Sequence, residues 1–280
     1  MQIWRGAAVR DAIGRSLGPD AVVVGRPGRP SPSWLAGLPF GPDQFFLGGA
    51  SGPLGGDDLP QLLQAILAEL PASVRRIYHY DPTWSDDVDR AFQQAGFHDF
   101  VHRYTMSRAL PAPLHPEPAR LTLEALESAN EALFVSAYAS CLVDCLSPMS
   151  LEDLVDPGAA LRFQMGQEHG PGGRQWLLGR TEAGEVAGLA LLDRYGPLES
   201  DWVVTFVGTT APFRGKGYSR ELLSAAAHRA TRAGARTLYL AVCQQNLPAV
   251  ALYRKLGFRT RESYRVYRKA GQSSGPPLSG

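Results

Sequence analysis

The sequence predicts a mixed α/β (α+β) fold built from two copies of one unit, on three observations. An apolar, β-rich run at 202–207 ends in the glycine-bearing stretch Arg214-Gly215-Lys216-Gly217-Tyr218-Ser219, which leads into a helical stretch at 220–233. The same order recurs in the first half at a fixed offset of 161 residues. At that offset Phe45 falls under Phe206, the glycine-rich 48–56 under the second-half glycine loop, and a helix at 59–70 under 220–231. Arg75, Tyr78, Gly96 and Phe97 then fall under Arg236, Tyr239, Gly257 and Phe258 without a gap. Between the copies, residues 111–118 hold four prolines in eight residues, which continue neither helix nor sheet. The expected organisation is therefore a first unit at 1–110, a linker at 111–118, a second unit at 119–269, and a Gly-, Ser- and Pro-rich tail at 270–280 whose composition predicts disorder.

Within the second copy, a short strand is expected at 120–123 and a helix at 126–138, followed by a second helix after Ser150, with Ser150 and Asp153 as its cap. Runs at 175–180 and 186–192 flank the turn signal Glu182-Ala183-Gly184-Glu185 and read as a hairpin. A strand at 202–207, the glycine loop and its helix follow, then a strand at 237–242. Asn246 is a good N-cap for a helix at 247–256, because Pro248 sits in the first turn, where its missing N–H costs nothing. Gly257 ends that helix, and a strand at 258–268 closes the unit.

Composition excludes several classes of function. The 280 residues are 44% apolar, enough for two cores, and their 28 basic and 27 acidic residues give a formal net charge of +1. No basic run is present of the kind that tracks a nucleic-acid backbone. Cys141, Cys145 and Cys243 form no CxxC pair, so no metal is expected and a reducing compartment fits. Residues 1–17 are broken by Arg5, Arg10, Asp11 and Arg15, which is no leader peptide, and no apolar run reaches membrane-spanning length. The expectation is a soluble cytoplasmic protein, monomeric or homodimeric, that binds neither nucleic acid nor membrane.

The junction at 214–219 is built to hold a phosphate. A strand that stops at a glycine loop and restarts as a helix leaves unpaired N–H groups in the loop, with the positive end of the helix dipole behind them. Gly215 and Gly217 permit close approach, and Arg214 and Lys216 add positive charge. In this region, over roughly 120–268, the sequence resembles the GCN5-related N-acetyltransferase (GNAT) superfamily. Its pyrophosphate loop, Gln/Arg-x-x-Gly-x-Gly/Ala, matches Arg214 to Ser219 with Ser219 in the last small position. A second pattern, Asn-x-x-Ala-x-x-x-Tyr-x-x-x-Gly-Phe, matches Asn246, Ala249, Tyr253, Gly257 and Phe258.

The resemblance implies a sheet that is mostly antiparallel and splayed at the cofactor strand. It also implies acetyl-CoA as cosubstrate, bound by Arg214, Gly215, Lys216, Gly217, Tyr218 and Ser219, by Asn246, and by the strand end at Val207, Gly208 and Thr209. The acceptor would be a small-molecule or peptide amine. The thiolate expelled from a thioester must be protonated, and a phenol of ordinary pKa near 10 is still protonated at neutral pH. Tyr253 is thus the candidate general acid, although Ala249, Leu252, Tyr253 and Leu256 also form one packing face of a helix. The incoming amine needs a base, for which Glu199, beside Asp201 at the start of the strand, is the candidate. An acyl-cysteine route through Cys243 is disfavoured because no histidine lies near it in sequence.

The first copy departs from these patterns. Pro53 stands for Arg214, residues 51–56 contain no lysine or arginine, Ser85 replaces the asparagine and Phe92 the tyrosine. A phenylalanine donates no proton, so this half reads as a degenerate copy. The competing functions are a non-catalytic acyl-CoA-binding module and aminoacyl transfer from charged tRNA. The balanced charge argues against the second.

Overall fold

The structure, a computed structural model, describes residues 2–5, 21–25, 34–41, 43–49, 59–81, 86–110, 120–166, 173–195 and 200–270. The proline stretch 111–118, the glycine-rich 50–56, Ser85, Glu199 and the tail 271–280 lie outside the described residues. In chain order the first elements are β1 (Gln2–Arg5), β2 (Val22–Gly25), β3 (Trp34–Gly41), β4 (Gln44–Gly49), α1 (Leu59–Glu69), β5 (Arg76–Asp81), α2 (Asp86–Gln94) and β6 (His98–Ala109). Then come β7 (Thr122–Ala125), α3 (Glu131–Leu142), α4 (Pro148–Leu151), α5 (Pro157–Met165), β8 (Arg174–Arg180), β9 (Val186–Arg194) and β10 (Asp201–Thr209). The remainder are α6 (Tyr218–Arg232), β11 (Thr237–Cys243), α7 (Leu247–Lys255) and β12 (Arg259–Ala270).

Two compact units are present: Met1–His102 with Tyr264–Gly280, and Arg103–Ser263. The first unit orders its strands β1-β2-β3-β4-β5-β12, and the second β7-β8-β9-β10-β11-β6. Every neighbouring pair in each series is antiparallel except the fourth with the fifth, β4 with β5 and β10 with β11. A parallel pair needs a crossover, which α1 and α6 supply.

The closing strand of each unit comes from the other half of the sequence. Ile77 of β5 pairs with Lys269 of β12, and Leu238 of β11 pairs with Arg108 of β6. Both partners of one pair are related to those of the other by the 161-residue offset, so the exchange is reciprocal and keeps its register. The cation in each pair caps the helix that follows its partner strand in sequence, α2 after β5 and α7 after β11. Lys269 Nζ donates to the Ala95 carbonyl at 2.8 Å, and the Arg108 guanidinium donates to the Leu256 carbonyl. A cation on the last carbonyls of a helix opposes the negative end of its dipole.

The parallel register corrects one correspondence of the repeat. Gln44 pairs with Arg76 but Asp201 with Thr237, so partners are 32 residues apart in the first copy and 36 in the second. Phe45 is therefore the counterpart of Trp202, not Phe206: Phe45 faces Ile77 and Trp202 faces Leu238, and both rings are buried. The second copy gains its four additional residues after the parallel register begins, where β10 runs nine residues against the six of β4.

In the second unit the two faces of the sheet bury different cores. Ala225, Ala226, Ala227 and Ala230 let α6 approach Trp202, Leu238 and Leu240 closely, while α3 and α5 cover Trp176, Leu178, Leu189 and Leu191 with Phe134, Tyr138 and Leu161. The helix expected at 126–138 lies at Glu131–Leu142, because Asn130 is tied back to the Glu127 amide and the Ala125 carbonyl and ends the preceding 3₁₀ turn. The cap expected at Ser150 is also displaced. Ser147 and Asp156, each followed by a proline, start α4 and α5, since an X-Pro step favours the extended cap conformation and a proline suits the first helical position.

Candidate active site

Backbone pairing opens the sheet at one place. β10 and β11 pair in parallel only from Asp201–Val204 to Thr237–Leu240, yet β10 continues to Thr209 along β9 and β11 to Cys243 along β6. A bulge at Thr205 marks the parting, so residues 205–209 are laddered on the β9 side alone. Val207, Gly208 and Thr209 lie on this splayed stretch. Gly208 is required sterically: a Cβ there would come within 2.7 Å of the Phe206 ring and 3.0 Å of the Cys141 Cβ. Gly188, opposite Thr209 in the ladder, is equally constrained, because a Cβ there would meet the Gly208 carbonyl oxygen at 2.1 Å. Phe206 is held by an edge-on contact with Tyr138, centroids 4.8 Å apart, and the Tyr138 hydroxyl donates to Asp153 at 2.6 Å.

The glycine loop stands at the end of this strand and at the start of α6. Gly215 and Gly217 have φ of 73° and 87°, left-handed values that a side chain would strain, and Gly217 is the N-cap of α6 with no side-chain cap. The first amides of α6, those of Tyr218 and Ser219, thus begin a helix whose N–H groups have no intrahelical acceptor. The Lys216 ammonium lies over the Phe213 ring at 5.5 Å, and the Tyr218 ring meets Phe213 edge-on at 5.5 Å. Arg214 is turned toward the carboxyl end of α3, where it donates to the Val143 carbonyl and, at 3.4 Å, to that of Cys141. It ties the loop to α3 rather than adding its charge to the α6 N-terminus.

α7 begins where β11 ends. Asn246 accepts from the Ala249 amide at 3.2 Å, so its side chain caps the helix. Tyr253 is 8% exposed and its ring meets Phe258 edge-on at 5.9 Å. Burial pushes the Tyr253 phenol well above its ordinary pKa, the neighbouring Cys145 acts the same way and Arg103 opposes them, so the hydroxyl stays protonated across the neutral range. Burial also pushes the Cys141 thiol up to about 12 and raises Cys145. Thiols held neutral are poor nucleophiles, which disfavours these two as acyl carriers. Cys243 is buried, with its sulfur 3.4 Å from the Ser147 hydroxyl. Glu199, the candidate base, lies outside the described residues.

Three features of the site were silent in the sequence. Arg103 donates to the Ala241 carbonyl at 3.0 Å and to the Met149 sulfur at 3.4 Å, which places a first-half residue beside Tyr253. Asp193, 1% exposed, accepts from Arg174 at 3.0 Å and Trp176 at 3.1 Å, and from the Thr205 hydroxyl at 3.4 Å. It is a paired carboxylate that braces the bulge. Arg120 reaches the glycine loop from just before β7, bonding the Lys216 carbonyl at 3.1 Å. Among the described residues no cluster of three metal-ligating side chains forms, and no helix is long and apolar enough to cross a membrane.

Comparison with known proteins agrees with this geometry. Residues 142–258 match the model of the acetyltransferase (GNAT) family. A mycothiol acetyltransferase of Corynebacterium glutamicum is 37% identical over 86 residues, 30% of this chain and 28% of the relative, so the chain spans little more than a quarter of the curated relative it matches. Among solved structures, a GCN5-related N-acetyltransferase of Sphaerobacter thermophilus has a TM-score of 0.64 at 22% identity, covering 94% of this chain and 84% of that one. A GCN5-related N-acetyltransferase of Kribbella flavida has 0.62 at 17%, covering 96% and 97%. A tandem GNAT protein from the clavulanic acid biosynthesis pathway has 0.57 at 14%, covering 91% and 84%. At these identities the structures show a shared fold. The match to the family model falls within the second unit.

Proposed function

We propose that the second unit transfers an acetyl group from acetyl-CoA to a primary amine by direct attack on the thioester. The observation that carries this reading is the one-sided ladder of residues 205–209, an open backbone edge that runs from the bulge toward the glycine loop. Such an edge pairs with an amide-bearing arm as a strand would. The amides of the loop and of the α6 N-terminus then bind the pyrophosphate, and a backbone N–H at Val207 polarises the thioester carbonyl. The amine nitrogen forms the new bond to the carbonyl carbon as the carbon–sulfur bond breaks. A carboxylate, nominated by sequence position as Glu199, takes one proton from the incoming ammonium before attack; Tyr253 gives its proton to the leaving sulfur, and the second proton, shed by the new amide nitrogen, passes through solvent to restore the phenol. The similarity to a protein named mycothiol acetyltransferase supports acetyl as the group moved.

CoA thiol release measured with a panel of primary amines tests the reading. Turnover on at least one amine is expected, with kcat reduced about 100-fold in Tyr253→Phe, in line with the loss of a positioned acid. Binding of acetyl-CoA without turnover on any amine would reduce the site to a binding module. An unchanged kcat in Tyr253→Phe would remove the tyrosine from the chemistry.

A further inference from the structure

One carboxylate is out of place in an anion site. Glu221 lies in the first turn of α6, with its side chain only 13% exposed and Oε2 buried without a hydrogen-bond partner among the described residues. A negative charge at a helix N-terminus stabilises the empty helix and competes with any anion that seeks the same dipole. The other basic groups of the loop do not offset it directly. Arg214 is committed to the end of α3, and Lys216 lies over Phe213.

Arg120 does offset it. Its Nε donates to Glu221 Oε1 at 2.6 Å and its Nη2 bonds the same oxygen, while Nη2 also reaches the Lys216 carbonyl at 3.1 Å. The guanidinium plane covers the Tyr218 ring at 4.6 Å and stands 3.4 Å from where a Cβ on Gly217 would be. One side chain thus touches residues 216, 217, 218 and 221, the whole turn from loop to helix. The fork geometry matters: a planar, five-donor head can grip a carboxylate and a carbonyl together, which a lysine cannot.

We infer that Arg120 is a positioning residue for the phosphate end of the acyl donor: it cancels the charge of Glu221 and fixes the Lys216–Gly217 turn so that the loop amides face the anion. The inference rests on the acetyl-CoA reading above and extends it to a residue outside both family patterns. Without Arg120, the Glu221 carboxylate repels the pyrophosphate. Without both, the repulsion is gone and only the turn is looser.

Calorimetric titration with acetyl-CoA, and with S-acetylpantetheine, which carries no phosphate, tests this on the full chain. Arg120→Gln is expected to weaken acetyl-CoA binding about tenfold and to leave S-acetylpantetheine binding unchanged. Glu221→Gln added to it is expected to restore most of the loss, and Arg120→Lys to fall between. An acetyl-CoA affinity unchanged in Arg120→Gln, an equal loss for both ligands, or a loss that Glu221→Gln does not relieve would each overturn the assignment. Wild-type protein that binds no acetyl-CoA would instead overturn the acetyl-transfer reading, and the role of Arg120 with it.

Discussion

α2 of the first unit and α7 of the second hold the same position in their units, and at the aromatic residue near the end of each the difference is a single hydroxyl. Each ends in the same C-terminal motif: the Phe97 amide bonds the Phe92 carbonyl at 2.9 Å as the Phe258 amide bonds that of Tyr253 at 2.9 Å, and Gly96 and Gly257 have φ of 85° and 82°. The aromatic pair recurs as well, Phe92 against Phe97 at 5.0 Å and Tyr253 against Phe258 at 5.9 Å, edge-on in both. Packing therefore accounts for a ring at this position but not for its oxygen. In the first unit the ring stacks on His79 at 3.9 Å and carries no polar atom. In the second it carries a phenol near Cys145 and Arg103, and that excess over packing is what chemistry can use.

Exchanging the two residues should break this comparison most visibly. Tyr253→Phe makes the second helix resemble the first, so it should lose about 100-fold in kcat while stability changes by no more than about 1 kcal/mol. Phe92→Tyr buries a hydroxyl among His79, Phe97 and Tyr267. Chemical denaturation should show a loss of about 1–3 kcal/mol with no gain in activity. If Phe92→Tyr were neutral, the first unit would hold room for a polar group and the contrast would fail.

The paired cations give a finer test. Arg108 is 9% exposed and Lys269 less buried, so removal of the first leaves the Leu256 carbonyl with less access to water. Arg108→Met should cost about 2 kcal/mol and Lys269→Met about 1 kcal/mol, read from urea midpoints. Equal losses would mean that burial does not separate the two caps.

Alkaline titration should separate the units least. Burial raises the phenols of Tyr138 and Tyr253 in the second unit, and burial first of all pushes Tyr267 of the first up to about 12. Above about pH 10 the unfolded chain loses these phenolic protons and the native chain keeps them, so the unfolded state binds fewer protons and stability falls as pH rises. Urea midpoints should be unaffected by these groups at pH 7–9 and decline above about pH 10, with a shallower decline in Tyr253→Phe. A decline that begins below pH 9 would assign the effect to other groups.

Much of the second unit was legible because local chemistry decides it. Asn246 with Pro248 starts α7, Gly257 with its positive φ ends it, and two glycines mark the loop before α6. These signals act over a few residues, so the sequence displays them. What was not legible depends on residues far apart in the chain. Arg120 lies about a hundred residues from the loop it grips, and Arg103 reaches Ala241 across a similar span. The displaced register of Phe45 was hidden because a constant offset fits the later elements well and masks four residues added between the parallel register and the crossover helix. The reciprocal strand exchange was hidden more deeply. β6 and β12 are related by the same offset as everything around them, so either pairing satisfies the pattern of the repeat.

That exchange bears on how the protein is made. β5 waits for β12, so the first unit cannot complete its sheet until Ala270 has left the ribosome, although its first strand emerged some 270 residues earlier. Sequential folding of the amino-terminal unit during synthesis, the usual order for a chain of this length, is replaced by late closure: the second sheet can take its last strand once Cys243 is out, and the first only with β12. Until then β5 is an unpaired edge, and the growing polypeptide depends on its pace of elongation and on chaperones in a way that two independent copies would not.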